Sequence, residues 1–177
     1  MKIIPSAKLP FNFFKVLKTE SKGEQFIAIM AHRAIAEYFS IKGEASVYAN
    51  ELREIVDIYP ESPNQTLKVA EILLSYEERN KRSNSAEAML KKLLITIGSQ
   101  SPNYLNRINN MLTGLYLRRG ESLLQQKRSS EAISTFQKVL LFDASNIEAH
   151  KGRIRGLNLR GESLITADNY RAKALET

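Results

Sequence analysis

Residues 113–146 read TGLYLRRGESLLQQKRSSEAISTFQKVLLFDASN, and the pentapeptide RGESL at 119–123 within them recurs 41 positions later at 160–164. Self-similarity at a spacing of a few tens of residues is typical of stacked helical units. Repeat proteins of that kind work mainly through extended surfaces rather than through clusters of reactive side chains. The repetition therefore predicts a helical repeat architecture and favours a binding function.

Apolar residues recur at a three-and-four spacing along almost the whole chain, and no stretch shows the alternation typical of a strand. The pattern predicts helices at about 25–41, 44–59, 63–80, 86–97, 102–127, 129–142 and 147–165, with an eighth beginning at about 168. Ser62-Pro63 followed by Gln65 predicts an N-cap with a capping box, and Ser101-Pro102 predicts a second capped helix start.

The stretch 113–146 resembles a tetratricopeptide repeat, a 34-residue unit of two antiparallel helices. The residues that match the family pattern, at the right spacing, are Tyr116, Gly120, Leu123, Ala132 and Phe136. The two small residues let the helices approach closely, and the three large ones fill the space between them. The resemblance implies an all-α fold of antiparallel helical hairpins stacked as a right-handed α-solenoid. The alternative is an unrelated helical bundle.

The sequence departs from the family pattern at Arg119, Val139 and Ala144, and its two RGESL copies are 41 rather than 34 residues apart. Less regular units are expected at 36–60 and 70–93. The second RGESL places Gly161 in a fourth unit, where we expect the helix contact that Gly120 makes in the third. The resulting domain boundaries are an N-terminal arm or cap at 1–24, a repeat domain at 25–166 and an incomplete terminal helix or tail at 167–177.

The sequence carries no signal of catalysis. Phosphate-binding glycine loops, dinucleotide fingerprints, GxSxG elbows and HExxH pairs are all absent from its 177 residues, and so is cysteine. His32 and His150 lie on different predicted helices with no partner at metal-ligand spacing, so each is expected to be structural or exposed. The carboxylate pairs Glu77-Glu78 and Glu51 with Glu54 are expected to be solvated. We predict neither an enzyme nor a bound cofactor or metal.

The resemblance also implies a binding surface, because tetratricopeptide proteins commonly hold extended peptides or helices on the concave face formed by the first helix of each hairpin. Carried over by position, it assigns partner contacts to Lys68, Glu71, Arg79, Leu117, Arg118, Glu121, Gln125, Lys151, Arg155 and Asn158. The paired Lys and Asn residues of the family's clamp for C-terminal peptides do not occur at these positions. A groove of mixed and mainly basic character favours an acidic or amphipathic segment of another protein.

The net charge of +7 is concentrated at the two ends of the chain. Residues 1–25 carry five Lys against two Glu, and residues 101–177 carry twelve basic against seven acidic residues. This leaves three functions open: a non-enzymatic adaptor or scaffold, alone or as a subunit of a larger assembly, which we favour; a nucleic-acid-binding module; and a small secretion or assembly chaperone. No apolar run is long enough to span a membrane and no secretory signal is visible, so a cytoplasmic location is expected. The N-terminal arm contains three phenylalanines, Phe11, Phe13 and Phe14. We expect it to cover the first hairpin rather than to touch a membrane.

Overall fold

The structure, a computed structural model, describes the backbone of residues 25–58 and 62–175, and the side chains of 27–57 and 62–167. The predicted arm at 1–24 lies outside the described residues. Seven α-helices occupy the described part: α1 (Gln25–Ile41), α2 (Ala45–Ile58), α3 (Pro63–Arg79), α4 (Ser83–Thr96), α5 (Pro102–Gln125), α6 (Ser129–Phe142) and α7 (Ile147–Leu175). A 3₁₀ turn, Gly98–Gln100, follows α4. No strand occurs in these residues, which confirms the all-α prediction.

The starts of α3 and α5 can be compared with the capping signals predicted for them. Pro63 opens α3 as predicted, but the side chain of Ser62 makes no capping bond, so the predicted capping box does not form. Ser101 behaves as expected, because its Oγ accepts a hydrogen bond from the Asn103 backbone N–H at 3.3 Å. At the other end of the chain α7 is continuous to Leu175, whereas the sequence predicted a break near residue 166.

The turns after α1, α3 and α5 share one geometry. Gly43, Lys81 and Lys127 each adopt a positive φ, of 75°, 58° and 58°. In the second of these turns Arg82 N–H donates to the carbonyl of Glu77 at 2.8 Å and Lys81 N–H to that of Glu78 at 3.0 Å, and the other two turns repeat both bonds. This is the pattern of a Schellman motif, which satisfies the last carbonyls of a helix and reverses the chain. The described helices up to α6 therefore form three hairpins with the same turn.

The described residues fall into two compact units that divide between Ile108 and Asn109, inside α5. The division lies within the range 25–166 that the sequence predicted as one repeat domain. In unit 1, α2 packs against α1 and α3, and α4 packs against α3. Its core is aliphatic, and the largest fully buried side chains include Ile29, Ile35, Ile55, Leu67, Leu73 and Leu90.

Unit 2 is built around the ring of Phe136 on α6, which is fully buried. A Cβ placed on Gly120 of α5 would lie 2.6 Å from the ring Cζ, and one placed on Gly152 of α7 would lie 2.6 Å from Cε2. Both distances are shorter than the closest approach of two non-bonded carbon atoms, so the ring edge occupies space that only glycine leaves open. The five residues that match the family pattern are all buried, as the packing of the hairpin requires.

The second RGESL copy does not repeat this packing, and the prediction made for it was wrong. A Cβ on Gly161 would meet no atom of the described residues within 4 Å, and Leu164 is 58% exposed while its counterpart Leu123 is 6% exposed. The glycine of α7 that faces Phe136 is Gly152, nine residues earlier. Among the described residues, identical pentapeptides therefore occupy different environments, because α6 folds over the first copy and no described helix folds over the second.

Candidate functional site

In unit 2 the structure brings together two of the predicted contact residues, Glu121 of α5 and Arg155 of α7. Arg155 Nη1 donates to Glu121 Oε2 at 3.0 Å, and Nη2 donates to Oε1. Both side chains are about half exposed. An exposed ion pair contributes roughly 0–1 kcal/mol, so an incoming charged group could displace it at little cost.

The other predicted residues of unit 2 are dispersed. Leu117 is half-buried, while Arg118, Gln125 and Asn158 are exposed. Lys151 is exposed and its Nζ lies 3.2 Å from Glu148 Oε1 on the same helix. Arg118, Gln125, Lys151 and Asn158 thus present polar groups to solvent, whereas Leu117 is partly covered.

In unit 1 the predicted residues Lys68, Glu71 and Arg79 lie exposed along α3. Glu71 accepts a hydrogen bond from Arg107 Nη2 of α5 at 2.7 Å, and a second pair of the same kind joins Lys92 of α4 to Asp57 of α2 at 2.6 Å. These two pairs and the Glu121–Arg155 pair span 36, 35 and 34 residues. Each pair links alternate helices, so α2 and α4, α3 and α5, and α5 and α7 approach within ion-pair distance.

A cavity of about 440 Å³ opens beside Arg79, and we call it the Tyr48–Arg79 cavity. It is formed by the turn between α1 and α2, the first part of α2 and one side of α3, with the lining residues Ser40, Gly43, Ala45, Tyr48, Ile72, Ser75, Tyr76 and Arg79. The cavity thus combines aromatic, aliphatic and cationic groups in one concave site.

The two tyrosines of this cavity meet edge to face, with ring centroids 6.1 Å apart. Partial burial raises the pKa of Tyr48, because desolvation disfavours the phenolate. Ile72 is 44% exposed, so an aliphatic surface stands open next to the rings. Sequence reasoning included Arg79 but missed Tyr48 and Tyr76, because nothing in the local pattern pairs residues on different helices.

A second cavity in unit 1, of about 320 Å³, lies between α2, α3 and α4 and contains the buried carboxylate of Glu77. The sequence predicted a solvated Glu77, which is wrong, because this side chain is only 1% exposed. Its Oε1 pairs with Arg53 Nη2, which reaches it from α2. Within the described residues Glu77 Oε2 has no hydrogen-bond partner. A buried acceptor without a partner costs about 1–3 kcal/mol, so a donor entering this cavity would find a favourable position.

His32 is structural, one of the two alternatives expected for it, and α2 supplies the partners that the sequence did not show. Its Nδ1 lies 2.9 Å from Glu51 Oε2 and 3.6 Å from Glu54 Oε2. Among the residues searched, these three form the group whose ligand atoms converge closely enough to hold a metal ion. The shorter distance fits a hydrogen bond in which Nδ1 carries the hydrogen, and that bond accounts for the burial of His32 without an ion.

His150 is exposed, and its Nε2 lies 2.8 Å from the Ala144 carbonyl in the turn between α6 and α7. The carboxylate of Asp143 organises this turn. Its Oδ1 accepts hydrogen bonds from the Ser145 hydroxyl at 2.7 Å and from the Ser145 N–H at 3.1 Å, and its Oδ2 accepts one from Asn146 at 3.2 Å. The side-chain bonds from Ser145 and Asn146 lower the pKa of Asp143.

Among the helices that the structure describes, none combines the length and the apolar character that crossing a membrane requires. Comparison of the chain with protein-family models, with curated proteins and with solved structures gave no match. The tetratricopeptide resemblance therefore stays a prediction drawn from the residues themselves.

Proposed function

We propose that the protein is a non-enzymatic adaptor or scaffold that binds an acidic or amphipathic segment of another protein. The Tyr48–Arg79 cavity carries this proposal. It offers Ile72 and two aromatic rings to the apolar side of such a segment, and a guanidinium to its acidic side. Among the described residues no carboxylate pairs with Arg79, whereas Arg107 and Arg155 both have ion-pair partners.

The proposed architecture is a tetratricopeptide-like array of stacked hairpins. Three hairpins whose turns each contain a residue of positive φ at the same position support it. Ion pairs between alternate helices, at separations of 34 to 36 residues, support it as well. Those separations are close to the 34-residue period of the family. In such an array the predicted contact residues of α3, α5 and α7 belong to first helices, which form the concave face.

Site-specific photocrosslinking tests the proposed binding site. A photoreactive phenylalanine analogue replaces Ser75, an exposed cavity residue, or Ser99, an exposed residue of the turn after α4. After irradiation in the native cell, we expect one protein to crosslink to position 75 but not to position 99. Equal crosslinking at the two positions, or none at position 75, would contradict the proposal.

The recovered partner segment then serves as a labelled peptide for fluorescence anisotropy. Arg79→Glu is expected to weaken binding roughly tenfold, the cost of reversing one favourable charge in a partly desolvated site. Arg33→Glu changes the net charge equally at an exposed position of α1, outside the cavity, and is expected to leave affinity unchanged. If both variants weaken binding alike, the effect reports net charge and the cavity is not the site.

A further inference from the structure

Helix α7 presents apolar residues on two opposite sides. On one side Ala149, Gly152 and Gly156 are buried against α6, where Gly152 faces Phe136 and Gly156 faces Ile133. On the other side Ile154, Leu157 and Leu164 are 55%, 49% and 58% exposed. A helix that is packed on one side only normally turns polar residues outward, so this second side needs an explanation.

The exposed residues form a regular seam. Ile154, Leu157, Gly161 and Leu164 follow one another at intervals of three, four and three residues, and we call them the α7 stripe. Intervals of three and four alternate along the contact edge of paired helices. The α7 stripe therefore has the geometry of a helix-docking surface about three turns long.

The two RGESL copies indicate what such a surface receives. In the first copy, the aromatic ring of Phe136 on the following helix covers Gly120, and Leu123 is buried with it. In the second copy, the position of Gly161 is open, and Leu164 is exposed. Because the residues are the same, the second face fits the same kind of occupant: an amphipathic helix with a large aromatic side chain set over the glycine.

Charge next to the stripe selects among possible helices. Residues 147–167 of α7, whose side chains the structure describes, carry four basic residues, Lys151, Arg153, Arg155 and Arg160, against Glu148 and Glu162. Arg160 is three residues from Leu157 and four from Leu164, so it lies beside the stripe. It is exposed, and its side chain has no ion pair with any described residue. A second copy of α7 would bring more positive charge to this edge, whereas an acidic helix would compensate Arg160.

We infer that the α7 stripe docks an amphipathic helix of a partner protein, which places a large aromatic side chain over Gly161 and acidic residues beside Arg160. The surface lies in unit 2 and its residues are not those of the Tyr48–Arg79 cavity. It accounts for the second RGESL, whose glycine and leucine contribute nothing to the described core. It also accounts for an apolar stripe opposite the face that packs on α6.

The test uses the full chain and two fluorescein-labelled helical peptides of about 21 residues, each with Leu at the contact positions and one central Phe. One peptide carries Glu at the flanking positions, and the other carries Lys. We expect the Glu peptide to bind in fluorescence anisotropy and the Lys peptide to bind roughly tenfold more weakly. Equal binding of both peptides, or no binding of the Glu peptide, overturns the inference.

Three variants locate the site. Leu157→Asp removes an exposed contact and should abolish Glu-peptide binding, while Ile95→Asp, at a more exposed aliphatic position in unit 1, should not change it. Arg160→Glu should reverse the preference between the two peptides. Circular dichroism checks that each variant keeps its helix content. Binding that survives Leu157→Asp, or a preference that Arg160→Glu leaves unchanged, counts against the stripe.

Light scattering during gel filtration separates a partner helix from a second copy. We expect the isolated chain to be monomeric. A dimer that Leu157→Asp dissociates would show that a second copy occupies the stripe, and would overturn the assignment to a partner protein.

Discussion

Alanine at Gly120 and alanine at Gly161 make the same chemical change in the same pentapeptide, yet the structure predicts different effects on stability. At Gly120 the new Cβ would lie 2.6 to 2.9 Å from three atoms of the Phe136 ring. The ring has little room to move, because the same ring edge also lies close to Gly152 of α7. At Gly161 the new Cβ enters open space.

The magnitude follows from two terms. Replacing a helical glycine by alanine gains about 1 kcal/mol, and this gain applies at both positions. Overpacking a filled core costs about 1–3 kcal/mol and applies at Gly120 alone. Gly161→Ala is therefore expected to stabilise the protein by about 1 kcal/mol. The free energies of unfolding of the two variants should differ by the steric term, about 1–3 kcal/mol, with Gly120→Ala the less stable.

Urea unfolding followed by circular dichroism at 222 nm measures this difference. A Phe136→Leu background provides the control, because a smaller side chain removes the ring edge and should let Gly120→Ala recover its helix-propensity gain. If Gly120→Ala is as stable as Gly161→Ala in the wild-type background, the close approach of α5, α6 and α7 at Phe136 is refuted.

Three further outcomes follow from the turns and from titrating groups. Lys127→Gly should raise the free energy of unfolding by about 1 kcal/mol in the same urea assay, because glycine adopts the positive φ without strain; Lys127→Ala, which keeps the strain, should give no gain. The bonds from Ser145 and Asn146 lower the pKa of Asp143 in the folded protein. Its contribution to the free energy of unfolding is therefore present above the pKa of the unfolded state and is lost as pH falls through the pKa of the folded state. The urea midpoints of wild type and Asp143→Ala should therefore differ at neutral pH and converge in acid, and a constant offset would contradict this. Burial raises the pKa of Tyr48, so wild type should lose stability relative to Tyr48→Phe as pH rises through the ionisation of this phenol. The difference in absorbance at 295 nm between wild type and Tyr48→Phe should show a pKa for Tyr48 above the ordinary value of about 10.

The sequence predicted the helices well because their signals are local. A spacing of apolar residues, a proline after serine and a glycine after the last turn are contained within a few residues. Lys81 and Lys127 show the limit of such signals, since lysine gives no indication of the positive φ that glycine at position 43 makes visible. The repeated turn became apparent only from the backbone.

The misassigned residues share a different cause. Glu77 follows Leu73 and Leu74 at inward-facing spacing, but its residue type predicted exposure; the arginine that makes its burial possible lies on another helix, 24 residues earlier. His32 was expected to be structural or exposed, and the carboxylate of Glu51 that makes its burial possible likewise lies on another helix, 19 residues later. The packing of Gly161 was predicted wrongly because a pentapeptide specifies one helix face, whereas the segment that covers that face in the first copy lies elsewhere in the chain. In all three cases the deciding atoms belong to a distant segment.

The clamped ring of Phe136 has a consequence for how unit 2 opens. One side chain occupies the contact with α5 and the contact with α7 at once, so neither neighbour can separate from α6 without exposing the same aromatic surface. Local openings of the three helices around this ring are thereby coupled. Backbone amides near Gly120, Phe136 and Gly152 should exchange with solvent deuterium at one shared free energy, as a single cooperative unit.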